Sequence, residues 1–451
     1  MIDLKEIALE DLKAPLEKFW TLAANKTELL RKNYKSDTGS PVITKAGKYV
    51  PQGWTDWTQG FQFGIPLLIF DATGAIDLLG KAKEDIKAKM PAHLSHFGVH
   101  DHGFNTISTY GNLLRLGNQS KTDLEAYEKE YYELAIKMSA SVQARRWSQI
   151  ADGGFIYSFN GPHSLFVDTI RSCRVLLMAT KLGHQLYGEN DQKIDMLDRA
   201  IKHGLATAKY GIFYGETDRT YDEWGRTAHE SVFNMNDGRY RCPNSQQGFS
   251  GFTTWTRGLA WAMAGFTEML EFIREENLQF ENRAEVEATF MKAAKATCDF
   301  FIKNTPPDGV PYWDTGAPQL HKLGDYLNKP SDPYNDFEPV DSSATAIGAQ
   351  GLLRLAGLLS KEDAAAAEKY KKAALNSLNT LLKEPYISSA PSHEGILLHG
   401  IYHRPNNWDY IPKGSKIPYG ESCMWGDYHM TEVCLMAWKM LKGESPYKFF
   451  K

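Results

Sequence analysis

Two kinds of helical segment alternate along almost the whole chain, and this alternation constrains the fold more than any other feature. Six segments are charged and amphipathic, and the six between them are apolar nearly all round and rich in Gly, Ala, Ser and Thr. A helix with a solvated face belongs on the outside of a protein, and one that is apolar on every side belongs inside. Strand signals are nearly absent. The pattern predicts an all-α (α/α)6 barrel of six helical hairpins.

Hydrophobic periodicity gives approximate bounds for both helix types. The outer helices are expected at residues 7–34, 76–90, 123–147, 192–210, 283–303 and 362–383. The inner helices are expected at residues 57–70, 104–116, 165–182, 254–273, 342–359 and 428–441. Because no linker or change of composition interrupts the series, residues 1–451 are interpreted as one barrel domain.

Loop lengths predict which end of the barrel carries a site. Connections from an inner helix to the next outer helix are mostly short, whereas the return connections are long, at residues 35–56, 91–103, 211–253, 304–341 and 384–427. In an alternating barrel the long loops all meet at the N-termini of the inner helices. Long loops on a rigid scaffold commonly carry function, and helix N-termini favour anions. We therefore expect an active-site cleft for an anionic ligand at this end.

Residues 246–261 form a Gly-rich polar loop that runs into an apolar helix at this end. Arg257 and Trp261 stand four residues apart and share a helix face. An indole can cover the apolar face of a sugar ring, while a guanidinium binds a carboxylate through two parallel hydrogen bonds. A core tryptophan and a surface arginine would give the same spacing.

Two acidic residues at inner-helix starts are candidates for acid–base catalysis. Asp168 lies in an apolar segment, which raises the pKa of a carboxyl unless it is paired, and a carboxyl that keeps its proton near neutral pH can act as a general acid. Asp101 stands where a helix cap belongs. The alternatives are structural: dipole stabilisation for Asp168 and capping for Asp101. Asp341 with the two serines after it predicts an N-cap, and residues 311–314 suit either a surface loop or a cleft wall.

A cluster of histidines surrounds Asp101, at His93, His96, His100 and His102. Their spacing fits no standard zinc pattern, and no cysteine stands among them. We expect satisfied or solvated histidines, and neither a metal nor an organic cofactor.

Composition limits the class of partner and the compartment. A net charge of −4 argues against nucleic acid. Five scattered cysteines without a CxxC pair indicate free thiols. No leader and no run of transmembrane length is visible, so no membrane partner is expected. The sequence as it stands predicts a cytoplasmic protein, or a periplasmic one if a signal peptide has been removed; it does not determine the oligomeric state.

As a set, these motifs resemble those of the unsaturated glucuronyl hydrolases of glycoside hydrolase family 88, whose fold is an (α/α)6 barrel. The most specific parts are His-Asp-x-Gly-Phe at 100–104, Val-Asp at 167–168, and a later series in the same order and spacing. The resemblance implies that Asp168 is the general acid and base and that Asp101 supports it. It also implies that the sugar subsite is lined by that series, His229, Gln247, Trp255, Arg257 and Trp261.

The resemblance implies an anionic oligosaccharide substrate, left by a polysaccharide lyase and ending in a uronic acid with a C4=C5 double bond, which the enzyme hydrates. Two features depart from the family. His102 replaces a usually apolar motif residue, and the loop at 393–422 has no clear match to the family loop that receives the leaving sugar. The cationic and aromatic residues of this loop, including Arg404, Lys413 and Lys416, favour a sulfated partner from glycosaminoglycans or ulvan, unless the loop is merely solvated.

Three other functions stay open. The nearest is an unsaturated rhamnogalacturonyl hydrolase that acts on pectin fragments. A polysaccharide lyase or inverting glycosidase on the same barrel would act on saturated chains, so the absorbance of unsaturated uronate would not fall. A non-catalytic glycan-binding protein would leave the oligosaccharide intact.

Overall fold

A computed structural model describes residues 1–34, 39–52 and 56–451 of the chain. Within these residues, six outer and six inner helices alternate. The outer helices are α1 (Lys13–Asn33), α3 (Ile76–Lys89), α5 (Ala126–Arg145), α7 (Met196–Tyr210), α9 (Arg283–Lys303) and α11 (Ala364–Leu381). The inner helices are α2 (Gln59–Thr73), α4 (His102–Thr106 and Asn112–Asn118, joined by a π-helical turn at Ile107–Gly111), α6 (Thr169–Ser172 and Arg174–Lys181), α8 (Thr256–Glu275), α10 (Ser342–Leu359) and α12 (Met424–Leu441).

The inner helices close into a ring, because each packs against the next and α12 packs against α2. Almost every residue of α10 and α12 is buried, whereas α11 is buried mainly on the face toward the ring. The prediction of an all-α (α/α)6 barrel is therefore confirmed. Among the described helices, none combines the length and the hydropathy needed to cross a bilayer.

Two glycines allow α2, α4 and α6 to approach closely at the end where they begin. A methyl group at Gly103 would lie 2.0 Å from the carbonyl oxygen of Ser172, and one at Gly60 would lie 2.4 Å from the Cα of Asn105. Neither position has room for a side chain, so the first turns of these helices pack backbone against backbone. This approach brings the residues that precede α4 and α6 next to each other.

The centre of the barrel contains charged side chains, although the inner helices were predicted to be apolar nearly all round. Arg171 on α6 donates to Glu268 on α8 at 3.0 Å and to Glu432 on α12 at 2.7 Å, and all three side chains are fully buried. The guanidinium also donates to Gln350 on α10 at 3.1 Å. One buried network therefore ties four inner helices together, and removal of Arg171 would leave the buried carboxylate of Glu432 without its arginine partner.

Short strands occupy several connections between the helices, contrary to the expectation of almost none. They are β1 (Ile43–Lys45), β2 (Lys48–Val50), β3 (Trp147–Ile150), β4 (Gly153–Ile156), β5 (Ser164–Phe166), β6 (Leu186–Tyr187), β7 (Lys193–Ile194), β8 (Glu230–Asn234) and β9 (Arg239–Asn244). The antiparallel sheet β5–β8–β9 matters most, because it pairs Phe166 with Glu230. The helix predicted from residue 165 therefore begins only at Thr169. Short apolar runs suit a buried strand as well as a helix, and the partner strand decides here.

The long return loops lie at the N-termini of the inner helices, as predicted. Of the first long loop, at 35–56, residues 35–38 and 53–55 lie outside the described residues. All five cysteines are free, as expected.

Candidate active site

A cavity of about 380 Å³ opens at the end of the barrel where the inner helices begin. It is lined by Trp57, His100, Asp101, Phe104, Phe159, Asp168, Gln246, Gln247, Trp255, Arg257, Trp261, Tyr402, His403, Asn406 and Trp408. Of the residues predicted for the site, all but His229 are in this lining. The structure therefore brings together residues that are far apart in sequence, as the barrel topology predicted.

The two candidate acids occupy the N-cap positions of neighbouring inner helices. Asp101 precedes α4 and Asp168 precedes α6, yet neither side chain makes a capping hydrogen bond. The backbone before Asp168 is fixed by sheet pairing that continues to Val167, whose N–H donates to the carbonyl oxygen of His229 at 2.9 Å. Because neither carboxylate caps its helix, the capping interpretation of Asp101 does not hold. Both carboxylates line the cavity instead.

His100 lies between the two acids. Its Nε2 is 3.5 Å from Oδ1 of Asp168 and 3.8 Å from Oδ1 of Asp101, and its side chain is only 2% exposed. The ring stacks against Phe159 at 5.9 Å and meets the edge of Phe166 at 5.5 Å. The sequence identified His100 only as part of a motif. In the structure, its imidazole lies between the carboxylates of Asp101 and Asp168.

The charges in this cluster change the expected proton affinities. Burial works to raise the pKa of Asp168, but the interaction with His100 and the charge of Arg257 outweigh burial and lower the pKa. The pKa of Asp168 was expected to be raised unless the carboxyl is paired, and the structure shows the paired case. Burial raises the pKa of Asp101, and the charge of Asp168 adds to this. Burial alone would lower the pKa of His100, but the two acids outweigh it and raise that pKa.

Arg257 is held by the protein on both sides of its guanidinium. Nη1 donates to Asp341 at 3.0 Å and to the carbonyl oxygen of Ile401, while Nη2 donates to Gln247 at 2.8 Å and to the carbonyl oxygen of Tyr402 at 2.7 Å. These four contacts use every terminal N–H of the group. The predicted two-pronged contact with a substrate carboxylate is thus not available in this conformation. Asp341 is also the N-cap of α10, as predicted, and accepts from the N–H of Ser343.

The indoles around Arg257 differ from the predicted arrangement. The guanidinium carbon lies 4.6 Å from the ring centre of Trp255 and 4.8 Å from that of Trp425, so the group is stacked between these two rings. Trp261 instead packs on Phe104 at 4.9 Å and is 2% exposed. Trp261 and Phe104 therefore form an apolar part of the cavity wall, whereas Trp255 and Trp425 hold the arginine.

His229 lies behind the cavity wall. Its Nδ1 accepts from the backbone N–H groups of Gln246 at 3.0 Å and Gln247 at 3.3 Å, so the neutral ring carries its proton on Nε2. Burial lowers the pKa of His229 to about 4, which keeps the ring neutral. The ring meets Trp255 at 4.7 Å. His229 therefore fixes the Gln246–Gln247 segment, and its contact with substrate stays a prediction.

The other histidines near Asp101 are bound to the protein separately. His93 contacts Gln59 at 2.7 Å, and His102 contacts Ser139 at 2.7 Å and the carbonyl oxygen of His96 at 2.9 Å. In the part of the chain that the structure describes, no group of three or more His, Cys, Asp or Glu is arranged to hold a metal ion. His102, the residue at which this chain departs from the family motif, is thus buried and hydrogen-bonded.

Residues 311–314 are neither surface loop nor cavity wall. Tyr312, Trp313 and Asp314 are buried. Asp314 accepts from the N–H groups of Phe249 and Gly316, both at 2.8 Å, and burial raises its pKa to about 6. The segment thus supports the Gly-rich loop from behind.

The loop at 393–422 reaches the cavity, and His403 and Trp408 are among its lining residues as expected, but the three cations expected to read sulfate are not. Its contribution is Tyr402, His403, Asn406 and Trp408. Lys416 pairs with Asp336 at 2.9 Å on an exposed surface. Among the described residues that line the cavity, Arg404, Lys413 and Lys416 are absent. The abundance of aromatics in this loop was a usable signal, but the sequence could not separate lining residues from solvated ones.

Comparison with known proteins agrees with the geometry. The model of Glycosyl Hydrolase Family 88 matches residues 40–301. An unsaturated glucuronyl hydrolase of Bacillus sp. (strain GL1) is 28% identical over 402 residues, which cover 87% of this chain and 89% of that protein. An unsaturated glucuronyl hydrolase of Formosa agariphila is 25% identical over 385 residues, covering 84% and 79%. The crystal structure of a heparin-specific unsaturated glucuronyl hydrolase superposes with a TM-score of 0.72 at 20% identity, over 95% of this chain and 98% of that one.

Proposed function

The chain belongs to Glycosyl Hydrolase Family 88, and from that premise we propose that it removes a 4,5-unsaturated uronic acid from the non-reducing end of lyase-generated oligosaccharides, with Asp168 as general acid and base. It is a glycoside hydrolase. The relatives named as unsaturated glucuronyl hydrolases support this substrate class. The substrate is an anionic oligosaccharide, because its terminal sugar carries a carboxylate.

The observation that carries the proposal is the cluster of Asp101, His100 and Asp168 in the cavity. Two buried carboxyls share one histidine, at 3.5 Å from one and 3.8 Å from the other. Neither acid has a capping role that would explain its place. Carboxyls pushed to different proton affinities by their surroundings are typical of acid–base sites. The pKa of His100 is raised and that of Asp168 is lowered, so the surroundings favour a proton on His100 over one on Asp168.

The proposed reaction uses that proton first. Transfer from His100 makes Asp168 a neutral acid, and Asp168 then gives the proton to C4 of the double bond. Positive charge develops at C5, where the ring oxygen shares it. Asp168, now a carboxylate, takes a proton from a water molecule as that water attacks C5. One proton is given and one is taken, and transfer of the new proton from Asp168 back to His100 restores the starting state. The hemiketal that results opens and releases the neighbouring sugar.

The uronate would be held mainly by dipoles and neutral donors. Inner-helix N-termini converge on the cavity and favour negative charge. Gln247 accepts from Arg257 through its carbonyl oxygen, so its amide NH2 is available to donate to a ligand. Arg257, which is part of the cavity wall, attracts the uronate through its positive charge. Trp261 and Phe104 offer an apolar surface to the sugar ring.

Asp168→Asn tests the proposal. The amide keeps the shape of the carboxyl but cannot deliver the proton, so turnover should fall by about two to four orders of magnitude while the disaccharide still binds. The measurement is the loss of unsaturated-uronate absorbance on lyase digests of several polysaccharides, together with binding by calorimetry. Asp77→Asn, an exposed site on α3, is the matched control and should keep full activity. A folded Asp168→Asn protein with nearly full activity would falsify the role of Asp168.

A further inference from the structure

The cavity has a buried end and an open end. Asp101 and Asp168 are 8% and 7% exposed, whereas Phe159 is 40% exposed. Asn406 is exposed and Trp408 is half-buried, and both line the cavity with Phe159. The double bond must reach Asp168, so the uronate occupies the buried end. The sugar that leaves must then lie at the open end, beside Phe159, Asn406 and Trp408.

The loop that carries Trp408 is fixed in position. The carboxylate of Asp409 accepts from the N–H groups of Tyr402 at 2.5 Å and His403 at 3.0 Å. The Trp408 ring packs on His403 at 4.8 Å and on Tyr402 at 5.3 Å. A ring held on two sides presents a rigid face, which lowers the entropic cost of stacking a sugar on it.

Among the described residues that line the open end, none carries a charge that would pair with a sulfate. Phe159, Asn406 and Trp408 are uncharged, and burial lowers the pKa of His403 to about 4, so that its ring is neutral at pH 7. Arg257, the one arginine or lysine among the described lining residues, has its terminal N–H groups taken up by the protein. Moving a sulfate from water to such a surface would leave its charge without a partner.

We propose that Phe159 and Trp408, with Asn406, form an aromatic leaving-sugar site that selects unsulfated over sulfated sugars. This inference rests on the proposed function and replaces the expectation that Arg404, Lys413 and Lys416 read sulfate. The two rings would contact the apolar faces of the pyranose, and the Asn406 amide would bond a hydroxyl or N-acetyl group. The site therefore suits an uncharged, unsulfated leaving sugar.

The test compares kcat/KM for unsulfated unsaturated disaccharides with that for their 4-O- and 6-O-sulfated counterparts. We expect at least a tenfold preference for the unsulfated forms, about the effect of one unpaired polar contact. Trp408→Ala should raise KM for the unsulfated substrate about tenfold with little change in kcat, and Trp408→Phe should restore much of the loss. The triple variant Arg404→Ala, Lys413→Ala, Lys416→Ala is the control and should leave the preference unchanged.

Equal or higher kcat/KM for sulfated substrates would overturn the proposal, as would loss of discrimination in the triple variant. An unchanged KM in Trp408→Ala would remove Trp408 from the site. Turnover of none of these substrates would count against the proposed function instead. The affinities of the same disaccharides, measured by calorimetry, would then still decide whether the cavity prefers unsulfated sugars.

Discussion

Replacing Arg257 with lysine tests whether this arginine holds the protein together or binds substrate. The guanidinium contacts four acceptors: Asp341, Gln247 and two main-chain carbonyl oxygens. It also lies between two indoles, at 4.6 and 4.8 Å from their ring centres. Lysine carries three donors on one atom and cannot reproduce a planar fork. At least one buried acceptor would lose its partner.

The size of the effect follows from these contacts. A buried acceptor without a partner costs about 1–3 kcal/mol. Losing the stacked geometry between the two indoles costs roughly a further 0.5–2 kcal/mol. The charge itself is kept, so the larger penalty for an unpaired Asp341 does not apply. We therefore expect Arg257→Lys to lower the free energy of unfolding by about 1.5–5 kcal/mol.

Denaturant unfolding followed by fluorescence measures this loss, and steady-state kinetics on an unsaturated disaccharide measures KM in the same samples. Arg404→Lys, on the same loop as two of the acceptors, is the control and should change the free energy of unfolding by less than about 0.5 kcal/mol. If Arg257→Lys raises KM while the free energy of unfolding stays at the wild-type value, the reasoning is refuted, because the guanidinium would then act mainly on substrate.

Three further outcomes follow from the site. In His100→Gln, the alkaline limb of the pH profile of kcat/KM should move to lower pH. The raised pKa of His100 keeps a proton in the cluster up to a pH at which the two carboxyls alone would have lost it. An alkaline limb at the wild-type pH would exclude proton storage on His100. Burial raises the pKa of Asp409 to about 6, so KM should rise as pH falls through 6, where protonation weakens one of the two acceptor oxygens that hold the loop. This dependence should vanish in Asp409→Asn. Dialysis against EDTA should leave the rate unchanged; restoration of a lost rate by zinc or calcium would mean that residues 93–102 bind metal after all.

The fold could be predicted because its signal is local. Solvated and buried helices differ in the composition of every turn, and loop length is visible directly, so the barrel and its open end followed from the sequence. The start of α6 could not be predicted in the same way. Leu165 and Phe166 are apolar and suit either structure, and they are extended because Ser231 and Glu230 pair with them. The buried charges at the centre of the barrel were not predicted either, because the partners of Arg171 lie on other helices.

The sequence predicted which residues form the site better than it predicted the partners that each of them contacts. Motif residues fall at helix starts, which gave Asp101, Asp168 and the Gln247–Trp261 series a common location. The acceptors Asp341, Ile401 and Tyr402 are separated from Arg257 by 84, 144 and 145 residues in the sequence. No local sequence pattern therefore showed that the donors of this arginine are already used. The low pKa of Asp168 likewise depended on where His100 points, which the backbone of the loop before α4 decides.

The contacts of Arg257 also link the two ends of the cavity. Through Gln247 the guanidinium holds a residue near the uronate, and through the carbonyl oxygens of Ile401 and Tyr402 it holds the loop that presents Trp408. A change that loosens this arginine should therefore weaken the uronate end and the leaving-sugar end together. Substitution of Trp408 should affect only the leaving sugar. The family match at 40–301 contains Arg257 but not the loop, and the hydrogen bonds of this arginine join the two parts of the chain.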